Sequence, residues 1–163
     1  MPTCHPMLDE HGRPVLLKSP SQPTALSSWG QVHALATVIP KGDCPAELNG
    51  IAMTAWLDVP TSAQAWDTVE GQCKFEEPPF DPPAGKMPAA GVVVEEPDGR
   101  FWLVAPSNAF GGYTATFPKG RIEGDVSRQA SAIREAYEEA GLKVKLSDFS
   151  LIQAVRKVIP ATI

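Results

Sequence analysis

The sequence predicts an α/β protein in which one amphipathic helix packs on a mixed β-sheet, preceded by a smaller N-terminal unit. Three observations support this fold. Short apolar segments separated by turn residues lie between residues 89 and 117, as in consecutive β-strands. Residues 127–140 then repeat apolar side chains at helical spacing. Residues 76–88 contain five prolines, which remove amide donors and so prevent a helix or a central strand from running through.

The proline-rich segment divides the chain into three parts. We expect an N-terminal region at residues 1–75, which serves dimerisation or substrate recognition, a linker at residues 76–88, and a principal domain at residues 89–163. A chain of 163 residues is long enough for one ordinary domain with an appendage. The principal domain is expected to be short at its C-terminus.

Charge and composition restrict the classes of function. The net charge of −5 leaves no basic surface for duplex nucleic acid or for an anionic membrane. The apolar runs are too short to span a bilayer, and the first residues lack the basic start and apolar stretch of a signal peptide. Three widely spaced cysteines without a CxxC pair argue against a disulfide scaffold or a zinc site. We therefore expect a cytoplasmic protein with no membrane or nucleic-acid partner.

The N-terminal region shows weaker patterns than the rest of the chain. They predict a hairpin at residues 6–18, strands at residues 33–40 and 49–57, and a short helix at residues 61–72. Thr61 or Ser62 is the expected cap of that helix, because a hydroxyl can accept a hydrogen bond from a free amide of the first turn. Trp29, Trp56 and Trp66 favour core or interface packing. A shelf that stacks a nucleobase is the alternative.

The principal domain begins with three predicted strands. The pattern predicts strands at residues 89–96, 100–107 and 113–117, a turn at residues 97–99 that makes the first two a hairpin, and a loop at residues 108–112. A Pro-Lys-Gly turn at residues 118–120 leads to the helix. Gly141 follows the last helical residue, where glycine commonly caps a helix. Residues 143–146 and 149–159 predict one or two further strands.

The helix separates apolar from acidic side chains. At about 100° per residue, its apolar stripe consists of Val126, Ala130, Ile133, Tyr137 and Ala140. Glu135, Glu138 and Glu139 lie on the opposite side. A solvated face is the simplest interpretation. However, Glu135 and Glu139 repel each other at i,i+4 spacing, and the second half of a helix disfavours anions.

A bound divalent cation would explain why the helix carries three acids despite their mutual repulsion and the unfavourable helix dipole. Mg²⁺ binds one or two carboxylates, keeps several waters and completes its coordination with substrate phosphates. The residues before the helix suit the same task. Gly120 allows the backbone to approach a ligand or to offer a carbonyl oxygen. Lys119 places a positive charge where a phosphate could lie.

These residues resemble the signature of the Nudix hydrolases, G-x5-E-x7-R-E-u-x-E-E-x-G-u, in which u is aliphatic. The match runs from Gly120 to Leu142 and departs at Val126, which replaces the first glutamate. The small residue Ala136 occupies the first aliphatic position. The similarity covers about residues 87–146 but not the N-terminal region.

The resemblance implies a Nudix-like mixed sheet with this helix packed on it, and hydrolysis of diphosphate linkages in nucleoside diphosphate derivatives. It implies Mg²⁺ or Mn²⁺ as the cofactor. Gly120, Glu138 and Glu139 would be metal ligands, Glu135 a ligand or the base that activates water, and Arg134 the residue that orients the glutamates. The catalytic residues would thus be Glu135, Arg134 and Glu138.

Two departures from the family keep a second function open. Val126 removes one acid, and the short C-terminus leaves one sheet face without its usual cover. The leading hypothesis is a Mg²⁺- or Mn²⁺-dependent hydrolase of a small nucleoside diphosphate derivative. The alternative is a catalytically weak or inactive Nudix-fold protein that binds a nucleotide or a partner; a third is an acidic helix used only for protein association. Because a large apolar face rarely stays exposed, we expect a homodimer.

Overall fold

The computed structural model describes residues 12–13, 22–39, 42–74, 77, 79–105, 115–124 and 126–146. In chain order its elements are a 3₁₀ helix at Leu26–Gly30, β1 at Glu47–Leu48, β2 at Ile51–Ala52, α1 at Ala63–Asp67, β3 at Ala89–Gly91, β4 at Lys119–Arg121 and α2 at Arg128–Ala140. Small antiparallel sheets with a helix packed on one of them confirm the predicted fold class.

β3 and β4 form the antiparallel pair on which α2 lies. Ala90 is opposite Gly120, and Gly91 is opposite Lys119. The predicted turn at Pro118–Gly120 is therefore wrong, since Lys119 and Gly120 are strand residues. Close backbone approach explains the difference. A Cβ atom at Gly91 would collide with the Pro118 carbonyl and the Lys119 side chain, so the glycine permits the pairing.

The predicted hairpin after β3 is confirmed, but its strands are shorter than the sequence indicated. Glu95 bridges Phe101 across the turn, and Gly99 adopts a φ of 85° in that turn. Val104 bridges Thr116, which belongs to the third predicted strand. The predicted loop at residues 108–112 lies outside the described residues.

Local signals at both ends set the length of α2 as predicted. The Ser127 hydroxyl accepts a hydrogen bond from the Ala130 amide at 3.1 Å. Gly141, in the left-handed region with a φ of 72°, donates its amide to the Tyr137 carbonyl at 2.8 Å. These bonds satisfy amides and carbonyls that a helix end leaves without intrahelical partners.

One apolar core joins the described N-terminal residues to α2. Its buried members are Trp66, Val69, Val92, Val126, Ala130, Ala132, Ile133, Ala136 and Leu146. Val126 is only 5% exposed, which confirms that it packs in the core, but it precedes α2, which begins at Arg128 with Ser127 as its cap. Burial of a valine side chain contributes about 1.5 kcal/mol or more to the free energy of unfolding.

The tryptophans of the N-terminal region pack as expected. Trp66 meets Trp56 edge-on at 5.9 Å between ring centroids, and Trp56 meets Tyr137 of α2 edge-on at 5.3 Å. Trp29 is buried, with its ring centroid 5.7 Å from that of Trp102 in the hairpin. These aromatic contacts attach the N-terminal region to both the helix and the sheet.

The short helix α1 has the predicted cap, since the Ser62 hydroxyl accepts from the Ala65 amide at 3.2 Å. It ends earlier than predicted, at Asp67. The strand predicted at residues 49–57 is reduced to β2. Asn49 and Gly50 both have positive φ and form a two-residue hairpin turn between β1 and β2. Because Asn-Gly is a strong hairpin signal, the sequence itself indicates this turn.

The prediction of a strand at residues 33–40 is wrong for residues 33–39, where the structure has a turn and irregular backbone. The Thr37 amide instead donates to the Thr24 hydroxyl at 2.8 Å. This bond spans thirteen positions, and the Thr24 amide donates in return to the Thr37 carbonyl at 3.1 Å, so one pair of residues is joined here without a strand ladder.

The strand predicted at residues 143–146 is also absent. The Leu146 amide donates to the Gly71 carbonyl at 2.8 Å, which attaches this segment to the N-terminal region without a ladder. The predicted elements at residues 149–159 and most of residues 6–18 lie outside the described residues.

Within the part of the chain that the structure describes, no helix is long and apolar enough to cross a membrane. The structure contains one copy of the chain, so the expected homodimer stays a prediction.

Candidate functional site

Glu135 lies at the interface between α2 and β4. Its side chain is buried, with 8% of the residue exposed. A Cβ atom at Gly120 would overlap the Glu135 carboxyl group, so the missing side chain of Gly120 makes room for the acid. The solvated-face interpretation is therefore wrong for Glu135, because β4 passes over the helix position that sequence periodicity places outside.

Glu139 makes a second contact between the acidic side of α2 and β4. Its carboxylate accepts a hydrogen bond from the backbone amide of Lys119 at 2.8 Å. The two acids, one helical turn apart, thus contact consecutive residues of one strand. Glu138 extends further into solvent, with 52% of its side chain exposed.

Burial and the closeness of the three carboxylates raise the pKa values of Glu135 and Glu139. Burial raises the pKa of Glu135 from 4.5 to about 7, and the carboxylates of Glu139 and Glu138 add to the rise. The pKa of Glu139 is also raised, mainly because contact with β4 partly desolvates its carboxylate, although the residue as a whole is exposed. The backbone amide and the charge of Lys119 oppose that rise. The ionised acids therefore repel one another in a partly desolvated place.

Arg134 is the cation closest to these acids in the salt bridges of the described residues. Its guanidinium lies 3.6 Å from a Glu138 oxygen and 4.0 Å from a Glu135 oxygen. It also donates a hydrogen bond to Glu123, in the segment before α2, at 3.3 Å. Because the Arg134 side chain is only 12% exposed, these charges interact in an environment that screens them less than bulk water.

Residues of the N-terminal region hold the start of α2 in place. Asp67 accepts a hydrogen bond from the Ser127 amide at 2.8 Å. The Gln129 amide group accepts from the backbone amide of Cys73 at 2.6 Å and donates to its carbonyl at 3.3 Å. Gln129 is buried, so both ends of its side chain are matched in the core. The helix that carries the acids is thereby attached to the preceding region.

The carboxylate oxygens of Glu135, Glu138 and Glu139 are of the chemical type that binds a hard divalent cation. Among the described residues, no three histidine, cysteine or acidic side chains converge closely enough, as they stand, to hold a metal ion. Three carboxylates nevertheless share one side of a helix, and the raised pKa of Glu135 reports their mutual repulsion and partial desolvation. Carboxylate and carbonyl oxygens are the ligands that Mg²⁺ prefers, and a bound cation would offset that repulsion.

The structure brings together most of the residues predicted from sequence. Glu135, Glu139, Gly120 and Lys119 meet where α2 crosses β4, and Arg134 lies beside them with Glu138. Glu123 is not among the site residues predicted from the sequence. No helical spacing signals its position, because it precedes the helix and reaches Arg134 only through the tertiary fold.

Comparison with known proteins agrees with the signature. A family model for the NUDIX domain matches residues 85–159. Neither the curated proteins nor the solved structures contain a match to the chain. The matched segment includes β3, β4, α2 and the acids described above.

Proposed function

Because the chain carries a NUDIX domain at residues 85–159, we propose that it hydrolyses the diphosphate linkage of a small nucleoside diphosphate derivative. The observation that carries the proposal is the placement of Glu135 over Gly120, beside the contact between Glu139 and Lys119. The family assignment supports a hydrolase. The substrate class, the metal and the residue roles are our proposal.

Mg²⁺ or Mn²⁺ would be held by Glu135, Glu138 and Glu139, with the Gly120 carbonyl beside them. When bound, such a cation supplies charge that neutralises the phosphates and lowers the pKa of water. The half-exposed Glu138 side chain has the freedom to turn toward a ligand, whereas Glu135 is buried against the strand.

Glu135 and Lys119 have different roles in the proposed hydrolysis. Water attacks one phosphorus atom, the bond from that phosphorus to the bridging oxygen breaks, and the bridging oxygen leaves with the other phosphate. A carboxylate oxygen of Glu135 accepts the proton that the water loses. Burial raises the pKa of Glu135 to about 7 in the metal-free protein, and a cation bound beside it would lower that pKa and favour the ionised form that accepts a proton. Lys119 contributes a positive charge for a phosphate oxygen.

A second function is a nucleotide-binding protein with weak or no turnover. The observation that favours it is the burial of Val126 at 5% exposure, because a residue in the core brings no acid to the site. The two functions differ in product formation but not in metal or nucleotide binding.

The decisive experiment incubates the full chain with a panel of nucleoside diphosphate derivatives and either Mg²⁺ or Mn²⁺. Hydrolysis predicts a nucleoside monophosphate and the complementary phosphate, in equal amounts, from at least one compound. Glu138→Gln combined with Glu139→Gln should abolish that release. If no compound is cleaved but calorimetry detects metal-dependent binding of one of them, the binding function replaces the hydrolase.

A further inference from the structure

Val126 stands where the family signature has its first glutamate, and the structure places it in the core. It is 5% exposed and packs with Ala130 and Ile133. The acid that the signature places there is therefore absent from the segment that leads into α2. Another carboxylate has to supply any negative charge needed at this end of the site.

Glu123 brings a carboxylate to the same group from outside the helix. Its Oε2 atom accepts a hydrogen bond from Arg134 Nη2 at 3.3 Å. The contact spans eleven positions in sequence. Gly124 follows immediately with a φ of 61°, a conformation that glycine adopts without strain. The left-handed conformation of Gly124 lies between Glu123, which contacts Arg134, and Val126, which is buried in the core.

Glu123 is the acid closest to the Arg134 guanidinium among its three acidic neighbours. Glu123 lies within hydrogen-bonding distance of the guanidinium, while the oxygens of Glu138 and Glu135 lie at 3.6 and 4.0 Å. The Nε atom of Arg134 is buried and has no hydrogen-bond partner among the described residues. A guanidinium without Glu123 would gain by moving toward the remaining acids, and it would then occupy their oxygens.

We propose that Glu123 takes the place of the missing glutamate as a positioning residue, holding Arg134 so that Glu135 and Glu138 stay available for the reaction. The proposal rests on the proposed function. Glu123 acts through Arg134, touches neither substrate nor water in the reaction, and is supplied by the segment before α2. The Glu123 side chain is 72% exposed, so its replacement leaves the core intact.

The first test needs no activity and no metal. Melting temperatures are measured for the unaltered chain, Glu123→Gln, Arg134→Met and the double variant. If Glu123 holds Arg134, the loss in the double variant is smaller than the sum of the single losses, by about 1–3 °C for an exposed pair in a chain of this size. Losses that add within error overturn the proposal.

The second test separates positioning from a general charge effect. In Glu123→Gln we expect the Mn²⁺ concentration that produces a given rise in melting temperature to increase severalfold. Glu123→Asp, which keeps the carboxylate, restores part of the loss. The matched control is Glu70→Gln, because Glu70 also pairs with a cation, Lys143 at 3.6 Å, and is 88% exposed. An equal shift in the control, or none in Glu123→Gln, contradicts the proposal.

The third test is kinetic and distinguishes this proposal from the proposed function. With a cleaved substrate, Glu123→Gln should lower kcat about tenfold, the lower range for residues that orient ligands, and change KM less than twofold. An active chain whose kcat is unchanged by Glu123→Gln refutes the positioning role alone. If the unaltered chain cleaves nothing, the proposed function fails, and the melting and Mn²⁺ measurements still decide whether Glu123 holds Arg134.

Discussion

The carboxyl group of Glu135 occupies the space that a side chain at Gly120 would fill. This contact joins α2 to β4 at the centre of the acidic group and fixes the depth at which the acid lies. Gly120 has no positive φ, so its backbone conformation does not need a glycine, but a Cβ atom there would displace the carboxyl end of the Glu135 side chain. The contact therefore makes the position of the acid sensitive to one methyl group.

Gly120→Ala should displace Glu135 and weaken the protein. We expect a loss of about 1 kcal/mol in the free energy of unfolding, the low end of the cost of overpacking, because the displaced group is the end of a flexible side chain. The metal-induced rise in melting temperature should shrink as well. The control is Gly30→Ala, because a Cβ at Gly30 meets nothing within 4 Å. Denaturant unfolding of both variants checks this, and equal stabilities would contradict the contact.

The stability of the metal-free protein should depend on the charge of Glu135. Folding raises the pKa of Glu135 from 4.5 to about 7, so the folded protein holds this proton more tightly than the unfolded chain does. The contribution of Glu135 to the free energy of unfolding is therefore fully present below pH 4.5 and is lost as the pH rises through about 7, by at most about 3 kcal/mol. Glu135→Gln should remove this decrease and be the more stable protein at pH 8.

The measurement is denaturant unfolding between pH 4 and pH 8 in a chelating buffer. Glu70→Gln serves as the matched control, because that glutamate lies on the surface, 88% exposed, away from the acidic group. A Glu135→Gln variant with the same pH dependence as the unaltered chain would rule out the assigned environment of Glu135.

Metal binding should require the two acids at the end of α2. Replacing Glu138 and Glu139 together by glutamine should abolish the rise in melting temperature that Mg²⁺ or Mn²⁺ produces, because a ligand that binds only the folded state stabilises it by mass action. The control replaces Glu47 and Glu95, both exposed strand or bridge residues, and should keep the metal response. A persistent response in the first variant would defeat the assignment.

Val126→Glu should lower stability without raising turnover. The residue lies in the core at 5% exposure, so a carboxylate there costs on the order of 2–4 kcal/mol. We expect kcat to stay unchanged, because three acids of α2 and the substrate phosphates can complete a Mg²⁺ shell. Melting temperature and kcat of this single variant are sufficient; a tenfold gain in kcat would show that the missing acid limits the reaction.

The sequence alone determined the features that depend on neighbouring residues. Ser127 and Gly141 set the ends of α2 because their bonds reach only three or four residues along the chain. Helical periodicity predicted that Val126 packs with Ala130 and Ile133, and the three residues share the core, although Val126 precedes the helix. The spacing from Gly120 to Leu142 likewise indicated the family before any coordinates.

Only the tertiary structure decided which acids are buried and what they contact. Helical periodicity placed Glu135 on an outer face, but β4 covers that face because Gly120 has no side chain. The partnership of Glu123 with Arg134 has no sequence signal, since it joins a segment before the helix to the middle of it. Lys119 and Gly120 lie in a strand for the same reason: Gly91, distant in sequence, lets the two backbones approach and pair.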